Sequence, residues 1–219
     1  MNTSHDPVST TNAFANATTA GHDAHATTTG EYARATTTGE YARATTTGDY
    51  AHATTSGYSS SATTTGDYAH AATTGDYAHA ATTGDYAHAA TTGSLANTTA
   101  AGDFANAATT GDYACATTTG DYAHAATTGD YSPATTAGQL AHAATTGLRS
   151  SASVSGENAI AAAFGANSVA KAANGGFIAL AQYDGTAIVA VKTAQVGRDG
   201  IKPDTWYTLS PTGEFVEAE

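Results

Sequence analysis

Along most of the chain, small apolar and polar residues alternate inside a nine-residue register. Gly, or Asn at the two ends, holds phase 0: Asn12, Gly21, Gly30, Gly39 and onward by nines to Gly165 and Asn174. Counting from it, phase 3 is always Ala or Ser. Phase 5 is Ala with Thr98 as the exception, and phase 7 is mostly Thr before it turns to Val154, Ala163 and Ala172. Alternate positions of a strand face the same way. Phases 3, 5 and 7 therefore form an inward row and phases 4, 6 and 8 an outward row, with phases 0 to 2 as a corner. Gly or Asn at phase 0 is read as the residue that tolerates a left-handed backbone at that corner. An interior of methyl groups implies two sheets closer than the usual ~10 Å, and a larger side chain at phase 3 or 5 would force them apart.

A unit such as Gly84-Asp-Tyr-Ala-His-Ala-Ala-Thr-Thr92 is too short to fold alone and must stack on its neighbours. Helix is the other reading of an Ala-rich chain. Gly costs about 1 kcal/mol in a helix and Thr is a mediocre helix former. Gly at every ninth position would also precess around a 3.6-residue turn, so helix is rejected. Low complexity can signal disorder, but a strict register with position-specific residues is what packing demands.

One unit makes one strand and one corner, so a closed coil needs two. Three columns show that odd and even units differ. Call face A the units opened by Asn12, Gly30, Gly48 and onward by eighteen. Its phase-4 residues include His52, His70, His88, His124 and His142, whereas face B reads His25, Arg43, Ser61, His79, Asn97, Cys115, Pro133 and Ser151. At phase 6, face A turns to Ala from Ala72 onward while face B mostly keeps Thr. At phase 2, face A carries an unbroken bulky row from Phe14 to Leu140, and face B is interrupted by Asp23, Ser59 and Arg149. The expectation is a two-sided coil of eighteen residues repeated roughly nine times, a rod about 43 Å long at ~4.8 Å per coil. Like residues then form ladders along it. Tyr on Tyr favours offset stacking, and Asp on Asp (Asp49, Asp67, Asp85, Asp103, Asp121) repels through screening solvent.

From Gly156 the polar Thr disappears, and Ile160, Phe164 and Val169 appear at outward phases. Exposed apolar residues there predict a covered surface. The period ends at Gly175. Phe177–Tyr183 and Ala187–Val196 read as strands around the hairpin signal Asp184-Gly185. Thr205–Leu209 and Glu214–Val216 read as a second hairpin around Ser210-Pro-Thr-Gly213. Some 45 residues are marginal for an independent domain, so this segment is expected to cap the open end, where a bare edge would aggregate, or to mediate oligomerisation. The fold class expected is all-β: a two-sided parallel β-solenoid (β-roll) with a C-terminal antiparallel hairpin cap. Its divisions are a lead-in 1–11, the solenoid 12–174 and the capping or oligomerisation segment 175–219.

Within residues 156–174, Ala159-Ile160-Ala161, Gly165, Ser168 and Ala170 resemble the head repeats of trimeric autotransporter adhesins, whose units read Ala-Ile-Ala-x-Gly-x-x-Ser-x-Ala. The Thr-Gly-Asp-Tyr units, with the tail Lys202-Pro-Asp-Thr-Trp-Tyr207, also look like β-solenoid repeat proteins of gut bacteria and their phages. The resemblance implies a surface-presented homotrimer. It brings no functional residue with it.

Composition narrows the partners. Net charge is −12, and Lys plus Arg total only seven of 219 residues, which argues against a nucleic-acid backbone as partner. A single cysteine, Cys115, excludes an intrachain disulfide. No apolar run approaches membrane-spanning length. The first residues lack the basic and apolar stretches of a signal peptide, which favours a virion part, or a cell-surface protein that is cytoplasmic until assembly.

Candidate chemistry is sparse. Structural zinc wants four closed ligands, and no second column converges on the His ladder. Stacked His should resist charging together, so acid is expected to loosen face A. Calcium-binding nonapeptides carry two or three Gly with Asp inside the turn, and these units have one Gly. No nucleophile, base and orienter form a singular constellation, so no enzyme and no cofactor are expected. A duplex mimic fits poorly, because carboxylates at a strand spacing do not match phosphates.

The sharper candidate is an array on face B: Thr27, Thr29, Thr45, Thr47, Thr63, Thr65, Thr117 and Thr119, and Tyr50, Tyr68, Tyr86 and Tyr122 of the face-A row are the other candidate surface residues. A Thr-x-Thr face resembles that of ice-binding β-solenoids, though Thr is also simply a good exposed strand residue. The expected function is a non-enzymatic structural rod, a fibre or attachment module of a phage or bacterial surface. Self-association and a cell-surface glycan or protein are its expected partners, and ice binding is the alternative.

Overall fold

The computed structural model describes residues 7–218 and is all-β. Residues 1–6 of the expected lead-in lie outside the described residues. Strands alternate strictly between two sheets, one of twelve strands and one of eleven. Face B starts with Val8–Thr11 and face A with Asn16–Ala20. Among the described residues each sheet contains ten parallel strands, followed at the C-terminal end by antiparallel ones. The eighteen-residue coil is therefore the repeat of the fold, and there are ten coils rather than nine, because Val8–Thr11 already pairs in phase with Ala26–Thr29. Ten strands span nine intervals, so the length stays at about 43 Å.

Register follows from the small inward residues. Ala71, Ala89 and Ala107 stand directly over one another on successive coils, and the Ala at phases 3 and 5 are buried throughout. The phase-7 Thr are buried with them. A one-residue slip would turn every Ala outward and bring every phase-4 His or Arg into the core, so register is fixed strongly.

The corner carries a second residue of positive φ besides the expected one. The phase-0 Gly from Gly21 to Gly120, and Gly138, have φ of 129–152°, and the residue at phase 2 is left-handed as well: Tyr32, Tyr50, Tyr68 and Tyr86 have φ of 56–58°, and their counterparts along both edges 52–62°. Neither Asn12 nor Asn174 has positive φ. Gly at phase 0 is required for a second reason. A Cβ on Gly48 would collide with the carbonyl oxygen of Gly30, eighteen residues earlier, and a Cβ on Gly129 with that of Gly111. At Gly48 φ is also +137°, but Gly129 keeps the collision without a positive φ. Close approach between stacked corners is thus the common cause. The backbone completes the corner: Gly48 N–H donates to Thr65 O (2.8 Å) and Tyr50 N–H to Asp67 O (2.9 Å) on the following coil.

The core changes character along the rod. Among the described residues, twelve inward Thr hydroxyls, including those of Thr28, Thr46, Thr64 and Thr73, have no hydrogen-bond partner among the protein's atoms. An orphaned buried hydroxyl costs about 1–3 kcal/mol, and a domain's net stability is only about 5–15 kcal/mol. From Val154 onward the inward residues are apolar apart from Ser168, whose hydroxyl donates to Gly147 O. Phe177–Tyr183 continues face A, with Ile178 opposite Ala161 and Leu180 opposite Ala163, both fully buried. Phe177 pairs with Ile160, so this coil is one residue shorter than the others and the nine-residue phase is lost there. Gly175 and Gly176 absorb the change, Gly175 at φ +81°.

Both expected hairpins form. Phe177–Tyr183 turns at Asp184-Gly185 into Ile188–Gln195, and Tyr207–Leu209 turns into Phe215–Glu217. Tyr207 pairs with Ala170 at the end of face B. Val196, Ile201 and Tyr207 join Ile178 and Leu180 in one buried cluster with the last coils, which closes the open end. Ile160, Phe164 and Val169 are half-buried, and the Tyr183 hydroxyl donates to Phe164 O (2.7 Å).

Candidate functional site: the outward ladders

Ten of the corners, from Glu31-Tyr32 to Asp130-Tyr131, place an acidic residue at phase 1 and an aromatic at phase 2, on a turn whose φ projects the ring outward. Along the edge entering face A, Phe14, Tyr32, Tyr50, Tyr68, Tyr86, Phe104 and Tyr122 form an unbroken stack, with ring centroids 4.8–5.1 Å apart and interplanar angles of 1–12°. A left-handed non-Gly residue costs about 1–2 kcal/mol, and an aromatic pair contributes about 0.5–1.5 kcal/mol beyond area burial, so stacking offsets much of the strain. The opposite edge is broken. Tyr41 meets Tyr58 edge-on, Tyr113 stacks on Tyr131 at 5.0 Å, and the Arg149 guanidinium lies over Tyr131 and donates to its hydroxyl (3.1 Å).

The aspartates do more than repel. Asp67 N–H donates to Asp49 Oδ1 (3.0 Å), Asp85 N–H to Asp67 Oδ1, Asp103 N–H to Asp85 Oδ1 and Asp121 N–H to Asp103 Oδ1. Each carboxylate accepts the amide of the next coil, so the ladder staples coil to coil. Repulsion alone is corrected by this geometry: charge-assisted hydrogen bonds are stronger than neutral ones, and the exposed carboxylates stay screened.

On face A the imidazoles of His52, His70 and His88 stack at 4.9 Å, and those of His124 and His142 at 5.0 Å, with Asn106 between the two runs. Burial lowers the pKa of His52, His70 and His142 from the usual histidine value. Arg34 adds to the effect at His52, His52 and His88 add to it at His70, and His124 adds to it at His142. Burial, neighbouring tyrosines and the carboxylates raise the Tyr50 phenol above its ordinary value.

The predicted threonine array is only partly contiguous. Thr27, Thr45 and Thr63 stand in register, as do Thr29, Thr47 and Thr65, over three successive strands of face B. Thr117 and Thr119 lie three strands further on, with two strands carrying Ala81 and Ala101 between. Thr29, Thr47 and Thr65 end their strands at the corner that carries Tyr32, Tyr50 and Tyr68. Thr and Tyr columns therefore border one another along one edge. Tyr50, Tyr68 and Tyr86 are consecutive rungs, and Phe104 joins them to Tyr122.

Because the rings cover one another's faces, what they present outward is ring edges and a row of phenol hydroxyls. The exterior is a periodic hydrogen-bonding surface, with no stacking platform inside the ladder. Among the described residues, no group of three or more His, Cys, Asp or Glu is placed to hold a metal ion.

Sequence reasoning missed two features of the C-terminal end. The Lys171 ammonium lies 4.7 Å from the Trp206 ring centroid. A cleft of about 690 Å³ opens between Thr193–Gln195 and Glu214–Glu217, floored by Ile201, Tyr207 and Phe215. Neither belongs to the periodic pattern, so no column could signal it. The left-handed corner did leave a signal: Asp23, Asn158 and Asn167 occupy phase 2, and these residue types favour that conformation.

No family model, curated protein or solved structure matches this chain.

Proposed function

We propose that the chain is a structural rod, a shaft or attachment fibre of a phage or bacterial surface, and that it is non-enzymatic. The observation that carries this reading is the uninterrupted register of ten coils with an exterior that repeats column by column. A surface of that kind offers many equivalent sites, as a support or a repetitive binding partner requires, and no singular pocket in the shaft. The partner that suits it is a repetitive cell-surface glycan or protein read by hydrogen bonds from the Tyr and Thr columns. Self-association would occur at the C-terminal end, whose edge strand Ile188–Gln195 exposes Ile188, Val189 and Val191. The likeness of residues 156–174 to adhesin head repeats supports a trimer as the assembled state.

Light scattering on the intact chain tests the reading. A defined oligomer supports the fibre, and Val189→Lys with Val191→Lys should then return it to monomer. A monomer at all concentrations counts against it.

Ice binding is the second reading, favoured by the six Thr in register on three strands. Its own test is thermal hysteresis and ice-crystal shaping, abolished by Thr45→Lys if the array is the binding face.

A further inference from the structure

We propose that bound water runs in two files through the interior of the shaft, one along each inward threonine column, each water bridging the hydroxyls of successive coils. The columns are the phase-7 residues. On face B, Thr28, Thr46, Thr64 and Thr82 stand on successive coils before Ala100 interrupts them, and on face A Thr19, Thr37 and Thr73 share their column with the partnered Thr55. Apart from Thr55, these are at least nine-tenths buried with no hydroxyl partner in the protein.

Spacing prevents these hydroxyls from bonding one another. In-register residues of neighbouring strands are about 4.8 Å apart, and an O–H···O bond spans about 2.8 Å. A water placed about 2.8 Å from each of two such oxygens subtends an angle of about 118°, close to tetrahedral. The coil spacing that forbids a direct bond thus fits one water per gap, and buried waters characteristically serve otherwise unsatisfied polar groups.

Three partnered threonines show where the hydroxyls aim. Thr55 donates to Ser60 Oγ (3.1 Å), Thr127 donates to Ser132 O (2.9 Å), and Thr91 shares a hydrogen with Thr98 Oγ1 (2.8 Å). Ser60 and Ser132 lie at the corner that leads into the next strand, and Thr98 lies on the next strand. Ser60 and Ser132 are two of the few Ser at phase 3, and Thr98 is the one Thr at phase 5. Thr55 and Thr91 take side-chain oxygens and Thr127 a main-chain one, whereas Thr145, five residues before Ser150, stays unpartnered, and Ser150 Oγ donates instead to Gly129 O. Where no protein group reaches, water is left to serve the hydroxyl.

The residue choice points the same way. Val154 fills a phase-7 position and is fully buried, so an isosteric side chain without a hydroxyl fits there, and Val is also a good strand former. The shaft uses Thr at every phase-7 position but Ala100, and the columns end at Val154, Ala163 and Ala172, in the coils nearest the apolar cap.

The experiment is water–protein NOE spectroscopy on the isotope-labelled full chain, with Thr46→Val and Thr46→Ser beside it. Expected are long-lived water cross-peaks to Thr28, Thr46 and Thr64, kept in Thr46→Ser and lost around position 46 in Thr46→Val. The folding equilibrium constant of Thr46→Val should fall roughly two- to tenfold. The proposal is overturned if the parent chain shows no long-lived cross-peaks, if Thr46→Ser loses them, or if Thr46→Val is as stable as the parent or more so. A hydroxyl buried dry would make its removal favourable.

Discussion

The shaft and the C-terminal end solve one problem with opposite means. Both must hold two sheets together around a thin core. The shaft uses Ala, Thr and a few Ser on its inward positions and gains stability from repetition, because each coil finds a neighbour of the same register above and below. The last coils and hairpins have no next coil to match. They fill the interior with Ile178, Leu180, Val196, Ile201 and Tyr207, side chains too large for the shaft. Glycine shows the same contrast. In the shaft it is demanded by the neighbouring coil's backbone, whereas a Cβ on Gly185 or Gly200 would meet nothing within 4 Å. A periodic structure is limited by how closely its units approach, and its end by how much apolar surface it must cover.

Substitutions can break that comparison. The largest effect is expected from Gly84→Ala, whose Cβ would strike the Gly66 carbonyl at φ +143°. A loss of more than about 4 kcal/mol, or failure to fold, should appear in chemical denaturation. Gly200→Ala in the cap, at φ +82°, should cost only about 1 kcal/mol. Equal losses at the two sites would remove the role of coil stacking. Ile178→Ala should cost about 3 kcal/mol by leaving a cavity in the cap, measured by the same unfolding midpoint. Ala89→Val adds volume where the shaft has none to give and should cost about 2 kcal/mol. A neutral Ala89→Val would show that the sheets can separate locally.

Asp85→Ala removes the acceptor of the Asp103 amide. It should cost about 1 kcal/mol and speed hydrogen exchange at Asp103 while leaving the cap amides unchanged. The smallest effect is that of pH. His52, His70 and His142 have folded pKa values below the usual histidine value, so the unfolded chain binds more protons than the folded one as these groups titrate. Stability is then full above about pH 6.5 and falls as pH drops from there through the lowered folded values. His70→Gln should flatten the dependence between pH 7 and pH 5. Stability rising toward acid would refute the assignment to stacked imidazoles.

Much of the fold was legible because it is periodic. The alternation of Ala24, Ala26 and Thr28 with His25, Thr27 and Thr29 gave the inward and outward rows. The His, Thr and Tyr columns gave the eighteen-residue coil, and Asp184-Gly185 gave the hairpin. The candidate surface was legible as columns but not as patches. Whether Thr119 neighbours Thr65 depends on which strands intervene, and two do. The left-handed Tyr was missed because Gly is the better-known bearer of positive φ, while the demand on Gly arises from a coil eighteen residues away.

The sequence by itself determined the strands, their faces, the coil length and the ladders, because identical units in phase can bury their small side chains in only one way. Tertiary structure alone decided the rest: that Asp49 accepts the amide of Asp67, that rings cover one another's faces, that the last coil is a residue short, and that most inward Thr hydroxyls find no protein partner. Those facts depend on distances between successive coils and across the core. Composition and spacing do not carry such distances until the chain has closed on itself.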